Sequence, residues 1–147
     1  MKKHHLIIIG IAITSFISCQ KKIAKNSDST TKTNTIKNVI IDTQTDISNT
    51  GANYAIDSLK INGDVLSVFV NYSGGCKTHS FDLVSNGMYA KSLPPQLTLC
   101  LRHTANDDNC RKLVMEELKF NIAKAQSPGS KKLLIKLGDK QVMYQSK

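Results

Sequence analysis

Tryptophan is absent from this sequence, and Phe, Trp and Tyr together make up only 5% of its residues. A hydrophobic core must therefore consist mainly of Ile, Leu and Val. Arginine occurs only twice, at Arg102 and Arg111, and no stripe of alternating basic and aromatic residues is present. Because nucleic-acid-binding surfaces usually combine basic residues with aromatic stacking, the composition predicts no nucleic-acid partner.

Several common catalytic motifs are also missing. The sequence has no Gly-x-Ser-x-Gly elbow, no His-Glu-x-x-His helix and no P-loop. Its acidic residues are too scattered to assign a general acid and a general base. The sequence therefore predicts a protein that is not an enzyme.

Length and charge set two further limits. The chain has 147 residues, of which 40% are hydrophobic, so it can form the core of one domain but not of two. Its formal charge is +9. Because the sequence shows no feature of nucleic-acid binding, this excess of positive charge favours attraction to anionic headgroups or glycans at a cell surface.

A short apolar run lies near the N terminus. Lys2 and Lys3 precede residues 6–17, which are apolar apart from a few small residues. The run is too short to span a bilayer comfortably, and its shape is that of a secretory signal. An exported chain enters an oxidising compartment, where disulfides form.

The end of this run, Phe16-Ile17-Ser18-Cys19, resembles the lipobox of bacterial lipoproteins, although Leu is more common than Phe at its first position. The resemblance implies that residues 1–18 are a lipoprotein signal peptide and that Cys19 is lipidated. Several acyl chains, palmitate among them, would then anchor the protein stably to a membrane of the bacterial cell envelope. The domain would lie in the periplasm or at the cell surface. An ordinary cleaved signal and an uncleaved anchor are the alternatives.

Residues 19–49 are rich in Thr, Ser, Lys and Asn. Such a tract buries too little apolar area to offset its ordering entropy. The composition therefore predicts a flexible tether that connects Cys19 to a domain at residues 50–147. Residues 39–41, Val-Ile-Ile, are an apolar exception that we expect to dock as an edge strand.

Two β-hairpins are predicted in the domain, each with alternating apolar residues on both sides of a turn that contains Gly-Asp. Further alternating segments predict three more strands, and Pro94-Pro95 forces an extended approach to one of them. The hairpin strands are residues 54–61 with 65–72 and residues 132–137 with 140–145, and the other strands are residues 80–85, 96–103 and 118–122.

Residues 110–117 fit either a short helix or an irregular strand, and we favour the strand. The strands follow one another at short spacing without the rhythm of βαβ units. The sequence therefore predicts an all-β fold, a small antiparallel β-sandwich or barrel-like domain that follows a signal peptide and a flexible linker.

Cys76, His79, His103 and Cys110 are the side chains that together could perform inner-sphere chemistry. His79 begins one apolar strand face and His103 ends another. If these strands pair antiparallel, the two histidines lie side by side and the two cysteines lie in the adjoining loops. We therefore expect the four side chains to converge.

Three interpretations of this cluster remain open. In an oxidising compartment the favoured one is a disulfide between Cys76 and Cys110, which stabilises the fold by about 3 to 4 kcal/mol. No cofactor is then expected. The alternative cofactor is zinc, bound by both cysteines together with His79 and His103 as a Cys2His2 set.

The third interpretation is a thiol-dependent enzyme, with Cys76 as nucleophile, a histidine as base, and Asp107 or Asp108 as the orienting group. Cys100 is the odd cysteine. Strand parity places it opposite the apolar face of its strand, where we expect a partly buried free thiol.

A longer pattern in the second half of the chain comprises Gly74-Gly75-Cys76-x-x-His79-x-Phe81, Leu97-x-Leu99-x-Leu101-x-His103 and Asp108-x-Cys110. This pattern resembles small lipoproteins of unknown function from Bacteroidota-type bacteria. The resemblance implies a lipid-anchored, β-rich domain and brings no established activity with it. We therefore expect a non-enzymatic binding or accessory module of the cell envelope that recognises a glycan or an envelope protein. A metal-binding lipoprotein and a thiol-dependent enzyme are the alternatives.

Overall fold

The computed structural model describes residues 35–147. The predicted signal peptide, the lipidation of Cys19 and the tether up to residue 34 lie outside the described residues and stay predictions. Residues 32–147 form a compact unit by themselves, and the buried core cluster lies entirely inside it. Residues 35–147 contain no helix of the length and apolarity that a membrane span requires.

Ten strands and one turn of 3-10 helix follow one another along the described chain. The elements are β1 (Lys37–Asn38), β2 (Ile40–Ile41), β3 (Ala55–Asn62), β4 (Val65–Gly74), β5 (Ser80–Ser85), β6 (Tyr89–Ala90), β7 (Gln96–Thr104), β8 (Lys112–Asn121), the 3-10 turn Ala123–Ala125, β9 (Lys132–Leu137) and β10 (Lys140–Gln145).

Two sheets pack face to face, which confirms the prediction of an all-β sandwich. The first sheet has the order β1-β8-β4-β3, and the second has the order β10-β9-β7-β5-β2, with β6 also paired to β7. Both sheets are mixed, because β1 runs parallel to β8, β2 to β5, and β9 to β7. Within residues 35–147 the sheets do not close into a barrel.

Both predicted hairpins are confirmed. In the first, Asn62 pairs with Val65 around a two-residue turn in which Gly63 has a φ of 57°. In the second, Ile135 pairs with Val142, and the two-residue turn between Leu137 and Lys140 is Gly138-Asp139. Residues 112–117 belong to strand β8, so the strand alternative for this region is correct.

The core lies between the sheets and consists mainly of aliphatic residues. On β4 and β7, buried and more exposed positions largely alternate, so one face of each strand packs inward. The largest fully buried side chains are Tyr144, Phe120, Leu66, Leu83, Leu97, Leu99, Leu101, Ile122, Leu133, Ile135, Leu137 and Val68.

The folded domain begins well before residue 50, so the predicted boundary is wrong. Residues 37–41 cross from the edge of the first sheet to the edge of the second, and Val39 is buried between them at 3% exposure. The predicted docking of the Val-Ile-Ile segment is thus confirmed. The residues that follow Ile41 were assigned to the tether because their composition is polar. They are held by backbone hydrogen bonds rather than by apolar burial.

Residues 42–53, which we call the strap, cross the outer face of the second sheet. The carbonyl of Asn49 lies 3.5 Å from the Cys100 thiol, which donates to it. The Arg102 guanidinium donates to the carbonyl of Asp46 at 3.4 Å. Gly51 then pairs with His103 as an isolated parallel bridge. The strap therefore covers Cys100, which is only 4% exposed, and leads the chain back to the end of β7.

Candidate functional site

The four residues singled out from the sequence lie at one corner of the sandwich. Cys76 and Cys110 are joined in a disulfide, with 34 residues of separation and a Cα–Cα distance of 5.9 Å. His79 directly precedes β5 and His103 lies near the end of β7, and Nδ1 of the first ring is 2.7 Å from Nε2 of the second. The antiparallel pairing of β5 with β7 brings these two strand ends together, as predicted.

Asp108 connects the disulfide to the histidine pair. Its Oδ2 atom accepts hydrogen bonds from the backbone N–H groups of Cys76 and Lys77 at 2.9 and 2.8 Å, and Oδ1 accepts from the N–H of Cys110 at 2.9 Å. Nε2 of His79 lies 3.1 Å from the same Oδ2. These donors, above all the N–H groups of Lys77 and Cys110, hold the pKa of Asp108 far below its ordinary value, so it is a carboxylate.

The hydrogen bonds of the two rings fix how many protons they share. Nε2 of His79 faces a carboxylate, and Nδ1 of His103 faces the carbonyl of Ala52 at 3.3 Å, so both outer nitrogens must carry a proton. The hydrogen bond between the two rings needs one more N–H proton. Three N–H protons on two imidazoles make one positive charge, which Asp108 balances. Burial lowers the pKa of His103, so that ring is the neutral member of the pair.

Aromatic side chains enclose the histidine pair. Phe81 stacks on His103 with 4.3 Å between ring centroids and 7° between planes. Tyr72 stacks on His79 at 4.6 Å, and its hydroxyl donates to Glu116 at 2.8 Å. Burial, followed by the hydrogen bond to Glu116, raises the pKa of Tyr72. These rings exclude water from the corner and hold the imidazoles in place.

Gly74 makes the approach of strand β4 to this cluster possible. A Cβ atom at this position would lie 2.5 Å from Nε2 of His79 and 3.1 Å from Oδ2 of Asp108. Any side chain there would push the ring away from the carboxylate. The adjacent Gly75 has a φ of 105°, a left-handed conformation that favours glycine, and it leads the chain to Cys76.

The His79 and Asp108 side chains are buried. The side chain of His79 is 1% exposed and that of Asp108 is 0% exposed. All four ring nitrogens of the two histidines have partners within the protein. A groove of about 240 Å³ lies between the edges of β8 and β5, and His79 and Phe81 are among the residues that line it. The histidines therefore have no ring nitrogen available for proton transfer to a bound molecule.

The Cys2His2 zinc set does not assemble in this geometry. Its histidines bind each other and Asp108 instead of pointing at the sulfurs. Among the described residues, the group with potential ligand atoms close together is Cys76, Asp108 and Cys110, whose atoms lie within 4.8 Å of one another. In that group both sulfurs are used by the disulfide and the carboxylate oxygens by backbone donors.

The thiol-enzyme interpretation has no suitable nucleophile at this corner, because the sulfur of Cys76 is bonded to Cys110. Cys100 is the free cysteine of the described chain. Burial raises the pKa of its thiol, which lowers the fraction of reactive thiolate.

Sequence reasoning missed the central role of Asp108, which it considered only as an orienting group for a nucleophile. The available signal was its place two residues before Cys110, which lets one carboxylate accept the N–H of Cys110 and face the loop of Cys76. Tyr72 was predicted only as the last residue of the strand 65–72. Its stacking on His79 depends on the register of β4 against β8, which sequence parity does not give.

Acid should destabilise this corner. Burial lowers the pKa of His103, and backbone donors lower that of Asp108, so in both cases the unfolded chain binds more protons than the folded one. The free energy of unfolding should therefore fall between pH 6.0 and 4.5, below the ordinary histidine pKa of about 6.5. It should fall further below pH 4, as the unfolded form of Asp108 becomes protonated.

Urea unfolding of residues 32–147 at these pH values checks this. The His103→Gln variant should show a smaller difference between pH 6.0 and 4.5. A wild-type stability that rises on acidification would contradict the assignment of His103 as the neutral ring.

No protein-family model and no curated protein matches this chain. Seven solved structures match it. A NigD-like immunity protein from Bacteroides caccae has 18% sequence identity and a TM-score of 0.51 over 74% of this chain and 58% of its own. A DUF1344 protein of unknown function from Bacteroides vulgatus has 17% identity and a TM-score of 0.50 over 75% of this chain and 55% of its own.

These likenesses show a shared fold. The chain spans a little over half the length of either neighbour. One neighbour is named an immunity protein and the other a protein of unknown function, and neither is named an enzyme. Their origin in Bacteroides agrees with the resemblance found in the sequence.

Proposed function

We propose that this chain is an exported lipoprotein, anchored to a membrane of the cell envelope through Cys19, whose β-sandwich is a non-enzymatic module that binds an envelope protein. The observation that carries the non-enzymatic part is the corner, where every ring nitrogen of His79 and His103 is occupied within the protein. The disulfide and the histidine pair then act as a brace for the fold. Function belongs to the outer surface of the sandwich.

The outer faces of the two sheets differ. The strap crosses the second sheet and covers Cys100. The first sheet instead exposes large apolar side chains on β8, where Leu113 is 66% and Met115 is 75% exposed. Phe69 on the adjacent strand β4 points to the same face, two positions from the residue paired with Met115. Leu113, Met115 and Phe69 form what we call the apolar strip.

The apolar strip suits a protein partner. Exposed methionine and leucine beside an aromatic ring, surrounded by polar residues, are typical of contact surfaces. Polar side chains border it, since Asn71 pairs across from Met115 and Lys60 lies 5.1 Å from the centroid of the Phe69 ring. The name of the immunity-protein neighbour is consistent with a role in binding another protein. A glycan is the alternative ligand.

A site-specific photo-crosslinker tests the apolar strip. Placed at Met115, it should give a discrete crosslinked product with a protein of the solubilised envelope of the producing bacterium. Leu113→Glu should reduce that product at least tenfold, because a buried unpaired charge in a contact costs more than 1.4 kcal/mol.

The chain offers a matched control. Met88 is 72% exposed, similar to Met115, and Leu93 is 100% exposed. A crosslinker at Met88 should give no such product, and Leu93→Glu should leave the Met115 product intact. Equal crosslinking from Met115 and Met88 would contradict the assignment of the apolar strip as the contact surface. A product that depends on added polysaccharide instead of protein would favour the glycan as the ligand.

The anchor has its own test. Growth with an alkyne-bearing fatty acid should label the wild-type protein, and Cys19→Ala should abolish the label, because the thiol is the predicted attachment point. Cys100→Ala serves as the control and should keep the label. Labelling that survives in Cys19→Ala would disprove lipidation at this position.

A further inference from the structure

The positive charge of the folded domain is concentrated in its C-terminal segment, residues 131–147, which contains the hairpin β9–β10. Residues 35–130 contain nine basic and nine acidic residues, so they are neutral overall. Residues 131–147 contain five lysines and one acidic residue, Asp139. Asp139 lies in the turn and pairs with Lys140 at 2.9 Å. Residues 131–147 therefore carry the whole net charge of this part of the chain, and three of their five lysines lie on the hairpin β9–β10.

The outward face of this hairpin has an apolar centre and a polar border. Leu134 pairs with Met143, which is 47% exposed. On β9 the positions two residues to either side are Lys132 and Lys136, which share this face because side chains alternate along a strand. In the adjoining part of β7, the outward residues opposite β9 are uncharged. The positions bordering the centre are Lys132, Lys136, Gln141, Gln145, Gln96 and Thr98.

Lys132 and Lys136 form no ion pair with any residue in the described part of the chain. No acidic side chain lies on this face, since the pairing residues are glutamine and threonine. Its charge is therefore not compensated by the protein itself.

We propose that the outward face of hairpin β9–β10 docks on the anionic phospholipid headgroups of the membrane to which the chain is tethered. A basic surface with an apolar centre matches a membrane interface, where lysines reach the phosphates and the apolar side chains enter the acyl boundary. The face contains lysine but no arginine and no aromatic ring, which makes it a poor platform for nucleic-acid bases. Anionic lipid is the ligand that matches both the positive charge of this face and its apolar centre.

Such docking would orient the domain. The hairpin belongs to the second sheet, whereas the apolar strip lies on the outer face of the first. The two outer faces of a sandwich point in opposite directions. A domain that contacts the membrane through the hairpin thus presents Leu113 and Met115 away from the bilayer, toward a partner. Membrane docking of the hairpin rests on the proposed function, but it is tested on the domain without its lipid. Failure of the docking can therefore be told apart from failure of the proposed function.

Vesicle cosedimentation tests the charge. Residues 32–147, whose core is complete, should bind vesicles with 30% phosphatidylglycerol, should not bind pure phosphatidylcholine, and should be released at high salt because the Debye length falls to about 3 Å at 1 M. The double variant K132E/K136E should bind at least about 25-fold more weakly, since each lost lysine near the surface contributes about fivefold and each new carboxylate adds repulsion from the anionic lipid. The matched variant K77E/K112E, with the same change of net charge at exposed lysines elsewhere, should bind as the wild type does.

The absence of tryptophan gives a second readout. Met143→Trp places one fluorophore at the centre of the face, and its emission should shift to the blue when anionic vesicles are added. Met88→Trp should show no shift. The proposal is overturned by the absence of binding to anionic vesicles, by equal losses in the two lysine variants, by an unshifted Met143→Trp, or by tighter binding to a DNA duplex than to the vesicles.

Discussion

Replacement of both Cys76 and Cys110 by serine should lower the free energy of unfolding of residues 32–147 by about 4 kcal/mol at 25 °C. The disulfide spans 34 residues of sequence, and a crosslink over a loop of this length restricts the unfolded chain strongly. It also holds the loop after β4 against the segment before β8, where the backbone N–H groups of Cys76 and Cys110 meet Asp108.

Urea unfolding with and without a thiol reductant measures this effect. Reductant should destabilise the wild type by a similar amount and leave the double serine variant unchanged, because Cys100 is not part of the crosslink. Both cysteines must be replaced together, since a single replacement leaves a reactive thiol that can pair with another chain. If the wild type were equally stable in both conditions, the disulfide would not support the fold.

Replacement of Asp108 by asparagine should lower the melting temperature of the domain by about 10 °C or more. The carboxylate accepts hydrogen bonds from three backbone N–H groups and from Nε2 of His79, and the Asp108 side chain itself is buried. The amide that replaces it offers one acceptor oxygen, carries no charge to balance the shared imidazolium, and turns two of its own donors toward other donors. Each buried polar group left without a partner destabilises the fold.

Asp107 supplies the control. It neighbours Asp108 in sequence but is exposed, and its φ of 55° is a conformation that asparagine tolerates well. Asp107→Asn should shift the melting temperature by no more than about 2 °C. Comparable losses for the two variants in differential scanning calorimetry would contradict the role of Asp108 as the connection between disulfide and histidines.

The sequence was informative where a local rule applies. Gly63-Asp64 and Gly138-Asp139 predict their hairpins because two-residue turns need such residues, and the turn then sets the register. Alternation of polar and apolar residues placed His79 and His103 at strand ends that proved to be adjacent. These signals depend on a few neighbouring residues and can therefore be read from the chain.

Other features depend on contacts between distant segments. Alternation with a period of two does not encode strand direction, so the parallel pairing of β7 with β9 could not be predicted. The strap has the composition of a tether, and its order comes from backbone hydrogen bonds to residues about fifty positions away, such as that from the N–H of His103 to the carbonyl of Thr50. The role of Asp108 likewise requires the loop between β4 and β5 to meet the loop between β7 and β8 at one carboxylate.

A closed structural corner formed by the disulfide and the histidine pair is the central claim, and native mass spectrometry of residues 32–147 tests it most directly. The purified domain should carry no bound metal, its mass should rise by two hydrogens on reduction of the Cys76–Cys110 bond, and a chelator should change nothing. A mass increment of the size of zinc, lost on chelation and accompanied by free thiols at Cys76 and Cys110, would contradict the claim.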